Sequence, residues 1–166
     1  HTERSAAPID PATRQAVAQA VARAEPVFSD YFGPTSGSTQ IDVVAAVRDA
    51  DGQPLAAVVL RSSADAFLFP MIQDWPLPNH SAETMLVLRA GSDALIPHRL
   101  RHQAATAPHW RPPLTIAALP SVHAVLGRQG RFEGQDYRGK SVFADLRAIP
   151  ESPWFLVSKL DRDEAL

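Results

Sequence analysis

Apolar residues recur at helical spacing over residues 11–24, where Val17, Ala20, Val21 and Ala24 share one side. Asp10 stands at the N-cap of that helix and Pro11 at its first position. The period then changes. Residues 27–32 and 40–48 read as extended segments flanking a Gly/Ser/Thr/Pro loop at 33–39, and Asp51-Gly52 supplies a tight hairpin into a third strand at 54–61. Over 64–75, Phe67, Leu68, Met71, Ile72 and Trp75 predict a second helix capped by Ser63, with Pro70 imposing a kink or a division into two short turns. Strands are expected at 83–89 and 94–98 around a turn at 90–93, followed by a polar loop at 99–113. A loop of that length more often carries function than connection alone. Extended structure resumes at 114–117, and 119–126 forms a short helix ended by Gly127. Three strands follow, at 130–137, 141–148 and 154–160, with a charged tail at 161–164. In the middle one Val142, Ala144, Leu146 and Ala148 alternate with Phe143, Asp145 and Arg147, which separates an inward from an outward face.

Taken by element, residues 10–61 run helix, strand, strand, strand, and residues 119–160 run the same way, an architectural repeat. The strand pair at 83–98 precedes the second copy and completes the order of a PAS-like five-stranded antiparallel sheet. The expected fold class is therefore α+β, with a PAS-like module at 63–166 flanked by helices and preceded by a partial PAS-like module at 1–62. A sheet lacking part of its strands has unpaired edges, which a neighbour, a second chain or further N-terminal sequence must cover.

Composition narrows the function. A chain of 166 residues can bury a core without staples, and 16 basic against 18 acidic side chains exclude a global attraction to nucleic acid or anionic membranes. The lack of cysteine excludes disulfides, thiolate metal centres and cysteine nucleophiles. No apolar run reaches the roughly 18–20 residues that span a bilayer, and the start at His1 suggests a piece of a longer protein. Ser121 and His123 lie close together, but nothing places a hydroxyl beside a base and an oxyanion hole, so neither an enzyme nor a cofactor is expected. His98, His102 and His109 could share a metal on a helix, yet Pro97, Pro108, Pro112 and Pro113 oppose one and no carboxylate or thiol lies nearby in sequence. Within the polar loop Arg99, Arg101, His109, Trp110 and Arg111 are candidates to hold an anionic or aromatic small molecule, arginine supplying a planar fork and tryptophan a stacking face. A solvated loop covering the sheet is the alternative.

Residues Val27-Phe28-Ser29-Asp30-Tyr31-Phe32 and the run from Ile41 to Leu60 resemble the strand pair in the membrane-distal module of double-Cache extracytoplasmic sensors. The segments Phe67-Leu68-Phe69-Pro70, Trp75-Pro76, Ser81-Ala82-Glu83-Thr84, Phe132-Glu133-Gly134-Gln135-Asp136-Tyr137-Arg138-Gly139 and Pro153-Trp154-Phe155-Leu156-Val157-Ser158-Lys159-Leu160-Asp161 are similar to bacterial periplasmic sensor regions that precede PAS, histidine kinase or diguanylate cyclase modules. The resemblance spans about residues 10–164. It implies a periplasmic ligand-sensing domain of a transmembrane signal-transduction receptor at the bacterial inner membrane, as in two-component systems. Its partner would be an unidentified small molecule, its membrane helices would lie outside this chain, and the chain would continue towards one of them after Asp161. The resemblance places Asp30 and Tyr31 at the pocket of the first module as ligand candidates, with strand packing as their alternative role, and Tyr137, in a segment that otherwise reads as a hairpin turn, is a further ligand-binding candidate. Amine-binding relatives carry an acidic residue near the end of the strand holding Val58–Leu60, where this chain has Arg61-Ser62-Ser63. The polar side of the first helix, with Arg14, Gln15 and Arg23, offers a homodimer surface. A non-sensing protein-interaction module is the alternative function: a filled C-terminal core would favour it, and an open pocket beneath the 99–113 loop would favour sensing.

Overall fold

The structure, a computed structural model, describes residues 9–23, 25–29, 39–75, 79–103, 109–150 and 152–166. The chain divides into two compact units, His1–Ala64 and Asp65–Leu166. In the first, helix α1 (Pro11–Arg23) packs on an antiparallel sheet of β1 (Val27–Phe28), β2 (Gln40–Arg48) and β3 (Pro54–Ser63), ordered β1-β2-β3. Capping chemistry starts the helix: Asp10 Oδ1 accepts the backbone N–H groups of Ala12 and Thr13, each at 3.0 Å. Ala16 and Ala20 are buried against Val27 and Val44, small side chains that bring the helix close to the strands. The β2–β3 turn needs Gly52 at φ 80°, and Asp49 Oδ1 secures it by accepting the N–H of Asp51 and of Gln53. Strand β3 lies at an edge of this sheet, with Leu55, Val58 and Leu60 exposed at 68%, 57% and 66%.

A π turn, Ala64–Leu68, begins at the last residue of the first unit and runs into α2 (Phe69–Gln73) of the second. Pro70 sits in the first turn of α2, where its missing N–H costs no helical bond, so the division into two short turns is the outcome. There follow β4 (Glu83–Ala90), β5 (Asp93–Leu95), α3 (Pro120–Val125), β6 (Gly130–Gln135), β7 (Ser141–Ala148), β8 (Trp154–Asp161) and α4 (Arg162–Ala165). The five strands form one antiparallel sheet in the order β5-β4-β8-β7-β6. The fold class is α+β and PAS-like, as the element order predicts. Val87, Leu146 and Val157 project from one face of the sheet onto Val122 of α3, all of them fully buried. Gly134 has its own packing role. A Cβ there would lie 2.5 Å from the carbonyl oxygen of Ala118, which accepts the N–H of Gln135 at 3.0 Å.

Four local expectations change. Strand β5 stops at Leu95 because Pro97 has no N–H for the ladder; Ile96 instead exchanges backbone hydrogen bonds with Trp110. Residues 114–117 are turns rather than extended chain, since Ile116 N–H closes back on Pro113. Strand β6 ends at Gln135 because Asp136 turns the chain by accepting the N–H groups of Arg138 and Lys140. The charged tail forms the single turn α4, and its Glu164 reaches back to the N–H groups of His80 and Ser81. Among the described residues no helix is long and apolar enough to cross a membrane.

Candidate functional site

The inward row of β8 does not stay apolar. Two residues beyond Val157 the same side of the strand presents Lys159, whose side chain has 0% exposure. Its ammonium lies 2.8 Å from Asp136 Oδ2 and 3.2 Å from Glu83 Oε2. Glu83 begins β4 on the row of Met85 and Val87, directly opposite Lys159 in the ladder, and Asp136 stands one step beyond β6 on the row of Phe132 and Gly134. Two strands and the turn after a third thus deliver three charges to one buried point.

Neutral donors complete the cluster. Glu83 Oε1 accepts the backbone N–H of Arg101 at 2.5 Å, and Glu83 Oε2 accepts the Tyr137 hydroxyl at 2.8 Å. The Tyr137 oxygen in turn accepts the N–H of His102 at 3.1 Å. Tyr137 places its ring 5.2 Å from the ammonium and meets Trp110 edge-on, with the ring centroids 5.7 Å apart. Arg138 Nε donates to Asp136 Oδ2 at 2.7 Å while its other arm pairs with Asp161, so the β6–β7 turn is tied to the end of β8. Burial pushes the Asp136 carboxyl up, but Lys159 and Arg138 outweigh it and hold the group below its usual range. Burial, followed by the charge of Glu83, raises Tyr137 well above an ordinary phenol.

The structure brings together three of the predicted residues, Arg101, Trp110 and Tyr137. Arg101 does not extend its guanidinium as a clamp: its arms are bonded to Asn79 Oδ1, Asn79 O and Ala82 O at 2.9, 3.2 and 2.8 Å. Arg99, His109 and Arg111 are exposed, and Arg99 contributes its carbonyl, which accepts from Gln73 Nε2 at 3.2 Å. Asp30 and Tyr31 lie outside the described residues. Glu83, Asp136 and Lys159 escape a reading by residue type, because isolated charges suggest a solvated face. The available signal is register, since each continues an inward apolar row. The three histidines do not converge: among the described residues no group of His, Asp or Glu suits a metal ion. His98 is structural, its Nε2 accepting the Leu86 N–H at 3.1 Å where β5 no longer reaches β4.

Open space borders the unit's sheet. A cavity of about 210 Å³ lies among Gln73, Ala82, Glu83, Thr84 and Arg101. A larger groove, about 740 Å³, runs over the outward side chains Arg131, Glu133, Phe143, Asp145 and Leu160, with Trp75 on its wall. In the first unit a separate polar knot joins helix to sheet. Arg61 grips both oxygens of the buried Asp42 at 2.8 Å each and also donates to Thr13 Oγ1 and Asp10 Oδ2. The Arg61 hydrogen bond, opposed by burial, leads the influences that hold Asp42 below its usual range.

The fold defines a PAS-like α+β protein, and the solved structures that resemble it share that architecture. The extracellular domain of the candidate histidine kinase rpHK1S-Z16 matches 97% of this chain and 65% of its own, with a TM-score of 0.59 and 14% identity. The extracellular domain of the candidate histidine kinase mmHK1S-Z3 matches 85% of this chain and 51% of its own, with a TM-score of 0.57 and 14% identity. The chain therefore spans about half to two thirds of these neighbours. No family profile and no curated protein matches it.

Proposed function

We propose that this chain is the ligand-sensing region of a membrane-anchored signalling receptor of the histidine kinase or diguanylate cyclase type, on the periplasmic side of a bacterial inner membrane. The observation that carries the reading is the architecture shared with the extracellular domains of two candidate histidine kinases over 85% and 97% of the chain. The motif resemblance to double-Cache sensors points the same way. Ligand contact is assigned to the loop end of the C-terminal sheet, where Arg101, Trp110 and Tyr137 converge, with Arg99 and His109 at its exposed rim and Asp30 and Tyr31 serving the first module. A ligand that prefers one arrangement of this loop shifts its population, and Glu83 relays the change to Lys159 on β8.

A thermal-shift screen against a broad panel of small metabolites tests the reading. At least one compound should raise the melting temperature, and Trp110→Ala should remove its effect; a protein that answers none refutes sensing by this region. The second reading, a module that docks a periplasmic protein, is favoured by one observation: the space beneath Tyr137 is filled by Lys159 and its carboxylates rather than open. Homodimerisation through the exposed side of α1, with Arg14, Gln15 and Arg23, belongs to either reading and is read by sedimentation equilibrium.

A further inference from the structure

The chain holds only two lysines, Lys140 and Lys159, against fourteen arginines. Apart from the exposed Lys140, every other Lys or Arg position is an arginine, yet the position between two buried carboxylates is a lysine. A compact ammonium fits there where a planar five-donor fork would not. The surroundings of that ammonium are those a receptor offers an organic amine: two carboxylates, one from β4 and one from the β6–β7 turn, at 3.2 and 2.8 Å, and an aromatic face at 5.2 Å backed by Trp110.

We propose that the C-terminal unit contains a binding site for primary alkylammonium ions, occupied from within by the chain's own Lys159. The built-in cation neutralises Glu83 and Asp136 and pins β8 to β4 and to the β6–β7 turn. External amines find the site filled. This inference goes beyond the sensing proposal, and its test uses neither the metabolite panel nor Trp110, so each can fail alone.

Lys159→Ala removes three methylene groups and the ammonium, the atoms that n-propylammonium would restore. The variant should melt below the native protein and should recover saturably in n-propylammonium chloride, but not in equal sodium chloride or in n-propanol, which lacks the charge. The native protein should show no such response. Should Lys159→Ala fail to fold alone, n-propylammonium should restore its far-UV circular dichroism. No recovery by either measure overturns the proposal, as does an equal response of the native protein. Labelling provides an independent readout: reductive methylation of the native protein should modify the exposed Lys140 at least about tenfold faster than Lys159, which reacts only through opening. Equal rates would mean that the ammonium does not reside in the site.

Discussion

Glu83 and Lys159 are direct partners across the central strands β4 and β8, and the ammonium stands 3.2 Å from the Glu83 carboxylate with no exposure to solvent. Removing one partner leaves the other charge buried, which costs about 3–5 kcal/mol, whereas replacing both costs less than the sum. Glu83→Gln and Lys159→Met should therefore each lower the urea midpoint strongly, and the double variant should lie above the additive expectation. Additivity within error would show that the two charges are not coupled.

In the first unit the Arg61 guanidinium is half exposed, so its pairing with Asp10 is screened, but its two bonds to the buried Asp42 are not equally screened. Arg61→Ala should cost about 1–3 kcal/mol through the carboxylate left without its cation. Arg61→Lys should recover only part, because a point charge cannot span both Asp42 oxygens. Chemical denaturation of the three proteins checks the order.

Acid should weaken the second unit through His98. Burial holds its pKa below 6.5, and its Nε2 must be unprotonated to accept the Leu86 N–H. The unfolded chain takes up a proton near pH 6.5 that the folded chain refuses, so stability present above that value is lost as the pH falls below it, down to the folded pKa. His102 is lowered too, by burial and by Arg138, and adds in the same sense. In a His102→Gln background, His98→Gln should flatten the fall in urea midpoint between pH 7 and 5. Parallel curves would remove His98 from the account.

Gly134→Ala should destabilise by about 1–3 kcal/mol, since the added methyl group meets backbone as well as a ring. Phe132→Leu should not rescue it, because the Ala118 carbonyl oxygen at 2.5 Å remains. Full rescue would mean that the ring alone is the obstacle.

Pattern alone reads the strands that alternate or end in turn residues: 40–48 and 141–148 coincide with β2 and β7, and Asp10-Pro11 marks the start of α1. Two of the misreadings occur where one side chain replaces the backbone as partner, and a third, at 114–117, where the backbone closes on itself in a turn. His98 takes the N–H that a longer β5 would have met, and Asp136 ends β6 two residues early. Of the candidate site, Trp110 is legible as a candidate because tryptophan stands out in the polar loop, whereas Tyr137 lies in a segment that reads as a hairpin turn. The charged centre is not legible, because Glu83, Asp136 and Lys159 are brought together only by a register between distant strands. The same holds for Asp42 and Arg61, nineteen positions apart and joined by the β2–β3 hairpin.

The margin formed by β3 also bears on how this protein behaves in a tube. Ten residues of nearly naked strand, greasy on both sides at Leu55, Val58 and Leu60, are an invitation for like to stick to like. Concentrated stocks should cloud with time, and a lysine installed by Val58→Lys should keep them clear without disturbing the fold.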